Sequence, residues 1–137
     1  MTPEEKARQK IDQWFSDAGW KVVDRDNYEP TCSAIAIREG LLKGNLEADY
    51  FLFINGKAIG VLEAKREEID PFSNNVCEQA VLYAKSVPHI YQAYQKPLPF
   101  IFTSNGKELF FCDFREQKQS FKQIMAIPTP YELVKQL

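Results

Sequence analysis

The sequence predicts a single mixed α/β domain in which helices pack on a β-sheet. Its 137 residues are enough to bury one hydrophobic core without a disulfide or metal staple. A content of 45% hydrophobic and 26% charged residues is typical of a globular domain. Helical and strand-like periodicities alternate along the chain in the order helix, strands, helix, strands, which is the pattern of a sheet covered by helices.

The first element is an amphipathic helix. The segment TPEE at residues 2–5 combines an N-cap threonine, a proline at the first helical position and a glutamate that closes a capping box. An apolar face follows at helical spacing: Ile11, Trp14, Phe15 and Ala18. Because Gly19 stands where a C-terminal cap belongs, we expect a helix of about 15 residues.

Strand-like segments occupy the middle of the chain. Short extended runs are expected at residues 20–23 and 32–38, and the segment EADYFLFINGKAIGVLEAKRE at 47–67 predicts a hairpin around Asn55-Gly56. One face of this hairpin takes Phe51, Phe53, Ile59 and Val61, and the other takes Tyr50, Leu52, Ile54 and Leu62. A strand pair that is apolar on both faces is typical of a sheet covered on both sides.

The second half of the sequence again predicts a helix and a hairpin. Residues 76–87 predict a second helix, because their apolar positions share one side: Val76, Ala80, Tyr83, Ala84 and Val87. Residues 99–114 predict a second hairpin, with SNGK at 104–107 as its turn. The sequence contains no GxxxxGK[ST] phosphate loop, and the tail carries weaker signals.

Composition restricts the compartment and the class of partner. The three cysteines, Cys32, Cys77 and Cys112, offer neither a disulfide framework nor a CxxC metal site. The charged N-terminus lacks the apolar region of a signal peptide, and no apolar run approaches the roughly 18 residues of a membrane span. We therefore expect a soluble cytoplasmic protein with no membrane partner. Its net charge of −2 argues against a dedicated basic DNA-binding module.

Three charged residues interrupt the apolar hairpin: Asp49, Glu63 and Lys65. A buried carboxylate must be paired, protonated or bound to a metal, so these residues require an explanation. Glu63 and Lys65 are two positions apart on a strand and therefore point to the same face. The alternative is that Glu63 and Lys65 form an ion pair on an edge strand and have no catalytic role.

The position of Asp49 depends on the turn. A two-residue loop pairs residue 49 with residue 62 and puts Asp49 and Glu63 on opposite faces. A three-residue loop, residues 55–57, pairs residue 49 with residue 63 and brings the two carboxylates to about 5 Å at their Cβ atoms. In that second register, with the Lys65 ammonium alongside, the arrangement favours a divalent-metal site.

At these residues the chain resembles a known family. Asp49, an apolar strand and then Glu63-Ala64-Lys65 form the PD-(D/E)xK nuclease pattern, although alanine replaces proline before the aspartate. Residues 2–134 resemble the N-terminal endonuclease domain of type I restriction enzyme R (HsdR) subunits. The words that carry this resemblance are TPEEKARQKIDQWFSDAGW, AIAIREG, ADYFLFINGKAIGVLEAKRE, EQAVLYAKS and PFIFTSNGKELFF. The resemblance implies a restriction-endonuclease-like fold, a mixed β-sheet core flanked by helices.

The resemblance also implies an endodeoxyribonuclease that hydrolyses phosphodiester bonds in foreign double-stranded DNA. Asp49, Glu63 and the backbone carbonyl of Ala64 would hold Mg²⁺, with Mn²⁺ as a substitute. Lys65 would orient or deprotonate the attacking water and offset charge on the phosphate.

Four further residues are candidates for the site. Gln79 and Tyr83 match a QxxxY helix and would contact DNA or brace the site. Glu5 is a candidate acid, although its capping box accounts for it. Glu39 is another, for which the alternative is a solvated pair with its neighbour Arg38. His89 has no evident partner, and we interpret it as structural.

The family also implies a larger assembly. Residues 1–137 would be a single nuclease domain at the start of an R subunit, with residues 113–137 leading toward a translocase domain of the same chain. ATP would serve only that translocase. Modification and specificity subunits would be partners, in a bacterial or archaeal cytoplasm. The alternatives are a PD-(D/E)xK nuclease of another restriction or repair system, and a catalytically silent DNA-binding or assembly domain on the same fold.

Overall fold

The computed structural model describes residues 1–30 and 33–137, and within these ranges the chain forms an eight-stranded mixed sheet flanked by three helices. The helices are α1 (Pro3–Asp17), α2 (Asn74–Ala84) and α3 (Pro130–Gln136). The strands are β1 (Lys21–Asp24), β2 (Ala34–Leu41), β3 (Glu47–Ile54), β4 (Lys57–Ala64), β5 (Gln92–Ala93), β6 (Phe100–Ser104), β7 (Leu109–Asp113) and β8 (Lys122–Ile124). The predicted mixed α/β class is confirmed. Of the predicted strand at 32–38, Cys32 lies outside the described residues.

The strand order is β1-β2-β3-β4-β6-β7-β8, and β5 pairs with the beginning of β4. The pairs β1–β2, β4–β5 and β4–β6 are parallel, and the other pairs are antiparallel. β4 therefore lies at the centre of the sheet, and seven of its eight residues are buried. This position explains the nearly continuous apolar sequence of the strand.

Helices cover the sheet on both sides. α1 and α3 pack on one face, where Ile11, Phe15 and Leu133 join Tyr50, Leu52, Leu62 and Phe102 in one core cluster. α2 packs on the opposite face, where Ala80, Tyr83 and Ala84 join Phe51, Phe53, Val61 and Ile101. The expectation that the first hairpin is covered on both faces is confirmed.

The signals at both ends of α1 behave as predicted. The Thr2 hydroxyl accepts a hydrogen bond from the Glu5 N–H at 3.1 Å, and the helix spans 15 residues. It ends before Gly19, whose φ of +95° lies in the left-handed region that glycine tolerates. Near its start, Ala7 packs against Gly106, where an added Cβ would lie 3.0 Å from the Ala7 Cα. This close approach seats the first turns of α1 on the turn between β6 and β7.

The register of the first hairpin differs from both predicted alternatives. Ile54 pairs with Lys57 across a two-residue Asn55-Gly56 turn, with φ of +52° and +77°, so the three-residue loop is wrong. A β-bulge then shifts the register between Leu52 and Phe53, which leaves Ile59 as the extra residue of β4.

Beyond the bulge, each β4 residue pairs with a β3 residue one position away from the one that an unbroken ladder would give it, so the two strands share their faces differently. Tyr50 pairs with Leu62, and continuing this register by one residue sets Asp49 opposite Glu63. The two-residue turn therefore does not put the carboxylates on opposite faces, as we expected from an unbroken ladder. Ile59 joins the cluster of Tyr50, not that of Phe51 as predicted.

The second hairpin is confirmed, and the tail is more ordered than the sequence analysis predicted. β6 and β7 pair antiparallel around a turn in which the Asn105 side chain accepts from the N–H groups of Lys107 and Glu108. In the tail, β8 extends the sheet and α3 covers it. α3 begins with a complete capping box between Thr129 and Glu132. Across residues 1–30 and 33–137, no helix has the length and apolarity that a bilayer crossing requires.

Candidate active site

The predicted catalytic residues lie together at the open end of the β3–β4 hairpin, opposite its turn. Asp49 stands near the start of β3, Glu63 and Ala64 end β4, and Lys65 follows. The Lys65 N–H donates to the Ser104 carbonyl at 2.8 Å, which continues the alignment of β4 with β6 beyond the strand end. The backbone of Lys65 is thereby held beside the two carboxylates.

Asp49 has a partner for each carboxylate oxygen. Its Oδ2 accepts from the Ala64 N–H at 2.7 Å, across the open end of the hairpin. Its Oδ1 accepts from Nη2 of Arg8, a residue of α1 that the sequence analysis did not identify. The side chain is 12% exposed, so this ion pair is largely shielded from solvent. Asp49 is therefore held in one orientation from two sides.

Glu63 is more deeply buried and less completely bonded. Its side chain is 6% exposed, and its Oε1 lies 3.8 Å from the Lys65 ammonium nitrogen. Its Oε2 is buried without a hydrogen-bond partner among the described residues. Burial first, and the neighbouring Asp49 carboxylate second, raise the pKa of Glu63 well above the usual range of a carboxyl group. A buried acid with an unsatisfied oxygen is a departure from normal hydrogen-bond completeness.

The donor set fits a hard divalent cation. Asp49, Glu63 and the Ala64 backbone are adjacent, and carboxylate and carbonyl oxygens are the ligands that Mg²⁺ and Mn²⁺ take. Glu63 Oε2, which has no hydrogen-bond partner among the described residues, is the atom that would coordinate such an ion. Within residues 1–30 and 33–137, no three His, Cys, Asp or Glu side chains form a metal-holding group. The chain would thus supply two carboxylates, and water or substrate would complete the shell, as is common for Mg²⁺.

Gln79 and Tyr83 approach from α2. The Gln79 amide donates to the Tyr83 hydroxyl oxygen at 3.0 Å, as their spacing on one helical face allows. Burial and then the Glu63 charge raise the pKa of Tyr83. Both side chains line an open cavity of about 500 Å³, together with Leu46, Asn75, Glu78 and Leu82. Neither Asp49 nor Glu63 belongs to the lining of this cavity.

The two weaker acidic candidates lie in different environments. The Glu5 carboxylate accepts from the Thr2 hydroxyl at 3.2 Å, and no hydrogen bond or ion pair of the described chain links it to Asp49 or Glu63. The Glu39 carboxylate accepts from Nη1 of Arg8 at 3.1 Å. Because Arg8 also binds Asp49, Glu39 is connected to the site through the guanidinium.

Glu39 does not pair with Arg38, so that expectation is wrong. Arg38 instead forms ion pairs with Asp12 of α1 and Asp24 of β1. Glu39 occupies the β2 position opposite Asp49, between two regular pairs of the ladder. Its φ of +54° is a left-handed conformation that costs energy in a residue with a Cβ.

Glu39, Asp49 and Glu63 therefore occupy successive in-register positions on β2, β3 and β4. Arg8 spans the first two, and Lys65 lies beside the third. Sequence reasoning could identify the acids from their strand context. It had no signal for Arg8, because 41 positions separate it from the carboxylate it binds.

Comparison with known proteins places this geometry in a family. The family model for the N terminus of the type I restriction enzyme R protein matches residues 35–120, which include the site-bearing hairpin and α2. A solved fragment assigned to an HsdR subunit of a type I restriction enzyme from Vibrio vulnificus YJ016 is similar in fold, with a TM-score of 0.62 and 23% sequence identity. The similarity covers 98% of this chain and 25% of that chain, so this chain spans a quarter of that relative's length. No curated protein matches the chain. Because the family model covers more than half of the sequence, the chain belongs to the family of type I restriction enzyme R protein N-terminal domains.

Proposed function

We propose that this domain is a Mg²⁺-dependent endonuclease of a type I restriction system, which hydrolyses phosphodiester bonds in double-stranded DNA. The observation that carries the proposal is the convergence of Asp49, Glu63 and Lys65 at one buried strand end, where Glu63 Oε2 lacks a partner. Fold alone would not support an activity, since one fold hosts many functions. The argument therefore rests on the site.

Asp49, Glu63 and the Ala64 carbonyl are the metal ligands in this proposal. A bound Mg²⁺ would polarise the scissile phosphate and lower the pKa of a bound water. Asp49 is already oriented by the Ala64 N–H, so one ligand is prepositioned. Glu63 is buried beside a second carboxylate and would lose its proton when a cation offsets the repulsion between them.

Lys65 supplies the positive charge and the proton chemistry of the chain itself. Its side chain is 27% exposed and adjoins Glu63, so it can reach a substrate at the mouth of the site. As an ammonium group the side chain orients a water and offsets charge that gathers on the phosphate, and only as the neutral amine does it accept the proton of that water. The Lys65 backbone is held by its hydrogen bond to the Ser104 carbonyl, so movement of the side chain alone is enough for both roles.

Gln79 and Tyr83 are assigned to the DNA side of the site. Their hydrogen-bonded pair lines an open cavity on α2, which a nucleic-acid backbone could enter. The domain has a net charge of −2, so its own electrostatic grip on DNA is weak. DNA would be delivered by other parts of the restriction complex.

The whole-subunit assignments belong to this same proposal. A translocase that consumes ATP would follow residues 113–137 in the R subunit, and modification and specificity subunits would bind the assembly. The setting would be a bacterial or archaeal cytoplasm. These assignments are supported by membership of the R protein family and by the net negative charge of this domain, which gives it little grip on DNA of its own.

One observation favours a second candidate, a catalytically silent DNA-binding or assembly domain. Both oxygens of Asp49 are already bonded, one by the Arg8 guanidinium, and a permanent ion pair there would exclude a metal. The nuclease proposal requires that this pair give way. The two candidates therefore differ in whether the domain binds a divalent cation.

Calorimetric titration of Mg²⁺ and Mn²⁺ separates them. We expect the wild-type domain to bind one ion, and Asp49→Ala and Glu63→Ala to bind none while keeping the circular dichroism of the folded chain. Lys65→Ala should still bind the ion but lose DNA cleavage by about 100-fold or more, the usual loss when a charge that stabilises the transition state is removed. Glu5→Gln is the matched control, because it removes an acid for which no hydrogen bond or ion pair to Asp49 or Glu63 is found among the described residues.

The opposite result is equally clear. If the wild-type domain binds no ion, with or without DNA, the nuclease proposal fails and the silent-domain candidate replaces it. If Glu5→Gln abolishes binding as completely as Glu63→Ala does, the ligand assignment is wrong.

A further inference from the structure

Arg8 bridges the carboxylates of Glu39 and Asp49, which lie opposite each other on β2 and β3, with two different nitrogens. Nη2 binds Asp49 Oδ1, and Nη1 binds Glu39 Oε1 at 3.1 Å. The two acids differ in environment, because the Asp49 side chain is 12% exposed and the Glu39 side chain is 56% exposed. One guanidinium is thus shared between a shielded carboxylate and a solvated one.

The shielded carboxylate needs a counter-ion. Asp49 lies beside Glu63, and two neighbouring buried carboxylates repel each other unless a cation lies close by. Lys65 is on the far side, next to Glu63, so Arg8 is the cation that contacts Asp49. It contacts an oxygen that the proposed function assigns to the metal.

The backbone of Arg8 is held in α1, and its side chain is partly exposed. The adjoining Ala7 packs against Gly106, and the Tyr50 hydroxyl lies 3.1 Å from the Arg8 carbonyl. The Arg8 side chain is 35% exposed and that of its partner Glu39 is 56% exposed, so this ion pair is open to solvent. Withdrawal from Asp49 therefore requires side-chain rotation without movement of α1.

Glu39 is built to receive the withdrawn guanidinium. It lies opposite Asp49 in the β2–β3 ladder, and its carbonyl accepts from Arg25 at 3.1 Å, which secures its backbone. Its left-handed φ of +54° is a strained conformation, of the kind that persists where surrounding contacts require it. An exposed ion pair is weak by itself, and this suits a contact that must form and break.

We propose that the Arg8 guanidinium holds the place of the divalent cation at Asp49 and withdraws onto Glu39 when the metal binds. This inference rests on the proposed nuclease function. Arg8 acts as a positioning residue, because it keeps the Asp49 carboxylate in place and compensated while the metal is absent. A doubly charged ion displaces it, since the ion interacts more strongly with both Asp49 and Glu63 than one guanidinium does.

Metal affinity provides the first test. By calorimetry, Arg8→Gln should bind Mg²⁺ about tenfold more tightly than wild type or better, because no competing cation remains. Glu39→Gln should bind it several-fold more weakly, because the withdrawn guanidinium has lost its acceptor. Lys10→Gln removes a positive charge from the same helix. The Lys10 side chain is half exposed, and its ammonium pairs with Glu67. This variant is the matched control and should stay within about twofold of wild type.

A general electrostatic field would change the affinity in the same directions, so a second readout follows Arg8 itself. The side-chain Nε–H resonance of Arg8, assigned by comparison with Arg8→Lys, should shift on Mg²⁺ addition and saturate at the calorimetric endpoint. In Glu39→Gln the same resonance should move toward the position of a solvated arginine. Arg8→Lys keeps the charge but has one terminal nitrogen in place of two, so it should bind the metal more tightly than wild type.

Each contrary result is decisive. If the Arg8 resonance is unchanged at metal saturation, or if Arg8→Lys matches wild type, Arg8 acts only through its charge and the inference is overturned. If wild type binds the metal and Arg8→Gln binds it equally well, the inference fails while the nuclease proposal survives. If neither chain binds metal, both fail.

Discussion

Two carboxylate networks meet helix α1, and they are bonded to different extents. Asp12 accepts two hydrogen bonds from Arg38, at 2.9 and 3.1 Å, and a third from the Tyr50 hydroxyl at 2.5 Å. Both of its oxygens are used. In the second network, Asp49 is fully bonded, but Glu63 keeps a buried oxygen without a partner among the described residues.

The difference separates a network in which every carboxylate oxygen is bonded from one that keeps a buried oxygen unbonded. A closed set of charge-assisted hydrogen bonds gains energy from every member, whereas a buried unsatisfied oxygen costs energy. Such a cost is typical of functional sites, where a missing partner is supplied by substrate or cofactor. The Asp12 network therefore fastens α1 to the sheet, and the unpaired Glu63 oxygen is the atom that the proposed function assigns to a cation.

The largest expected contrast is in stability. Asp12→Asn should lower the free energy of unfolding of the metal-free chain by about 2 kcal/mol, since it weakens hydrogen bonds to a charged group. Glu63→Gln should leave it unchanged or raise it, because a neutral amide avoids the cost of a buried acid next to Asp49. Urea denaturation of both variants tests this pair of predictions. Equal destabilisation by the two substitutions would show that both networks are structural.

The second contrast is in pH dependence. The folded-state pKa of Glu63 is raised, so the folded chain holds this proton more tightly than the unfolded chain does. The stabilisation from the proton is complete below the ordinary pKa of a glutamate and is lost as pH rises from there through the raised pKa. Stability of the metal-free domain should therefore fall across this window, by at most about 1.4 kcal/mol per pH unit.

Glu63→Gln is the internal reference for that measurement. Its stability, followed by thermal denaturation from pH 5 to 9, should lack the descending component that wild type shows. A wild-type profile parallel to that of Glu63→Gln would mean that the unfolded and folded chains bind this proton equally.

The smallest expected effect concerns the α2 wall of the site. Tyr83→Phe removes the hydroxyl that accepts from Gln79, and we expect DNA cleavage to fall about fivefold, as loss of one neutral hydrogen bond of about 1 kcal/mol would cause. Tyr94→Phe is the control, because its hydroxyl contacts the Leu137 carbonyl at 3.4 Å, away from the carboxylates. If both variants cleave DNA equally well, Tyr83 serves only the core.

Local patterns predicted the elements that local interactions determine. α1 follows from its caps and its apolar spacing, and the two hairpins follow from alternating runs around Asn-Gly. The helix α3 was also available to such reasoning, because Thr129-Pro130-Tyr131-Glu132 repeats the signal that starts α1. It was missed because only seven residues follow the signal's threonine in the helix, too few to show periodicity.

The site itself depends on two features that the sequence analysis did not predict. The bulge at Ile59 sets Asp49 opposite Glu63, and its signal was the adjacent Gly60, since an isolated glycine inside a strand often marks a bulge. The Arg8 contact joins a helix to a strand far along the chain, so it appears only when the fold is assembled. The sequence therefore indicated which acids lie together but not how they are arranged or compensated.

The position of α1 has a practical consequence for anyone choosing where to cut this protein for expression. The segment by which the family is recognised begins at residue 35, after the whole helix. A fragment trimmed to that boundary would retain Asp49, Glu63 and Lys65 yet lose Ile11 and Phe15, both 0% exposed, at roughly 2 to 3 kcal/mol each. It would also lose the arginine that compensates the carboxylates. Such a truncated fragment would display an intact signature and still be expected to unfold, so an inactive preparation of it would be no test of the proposed nuclease function.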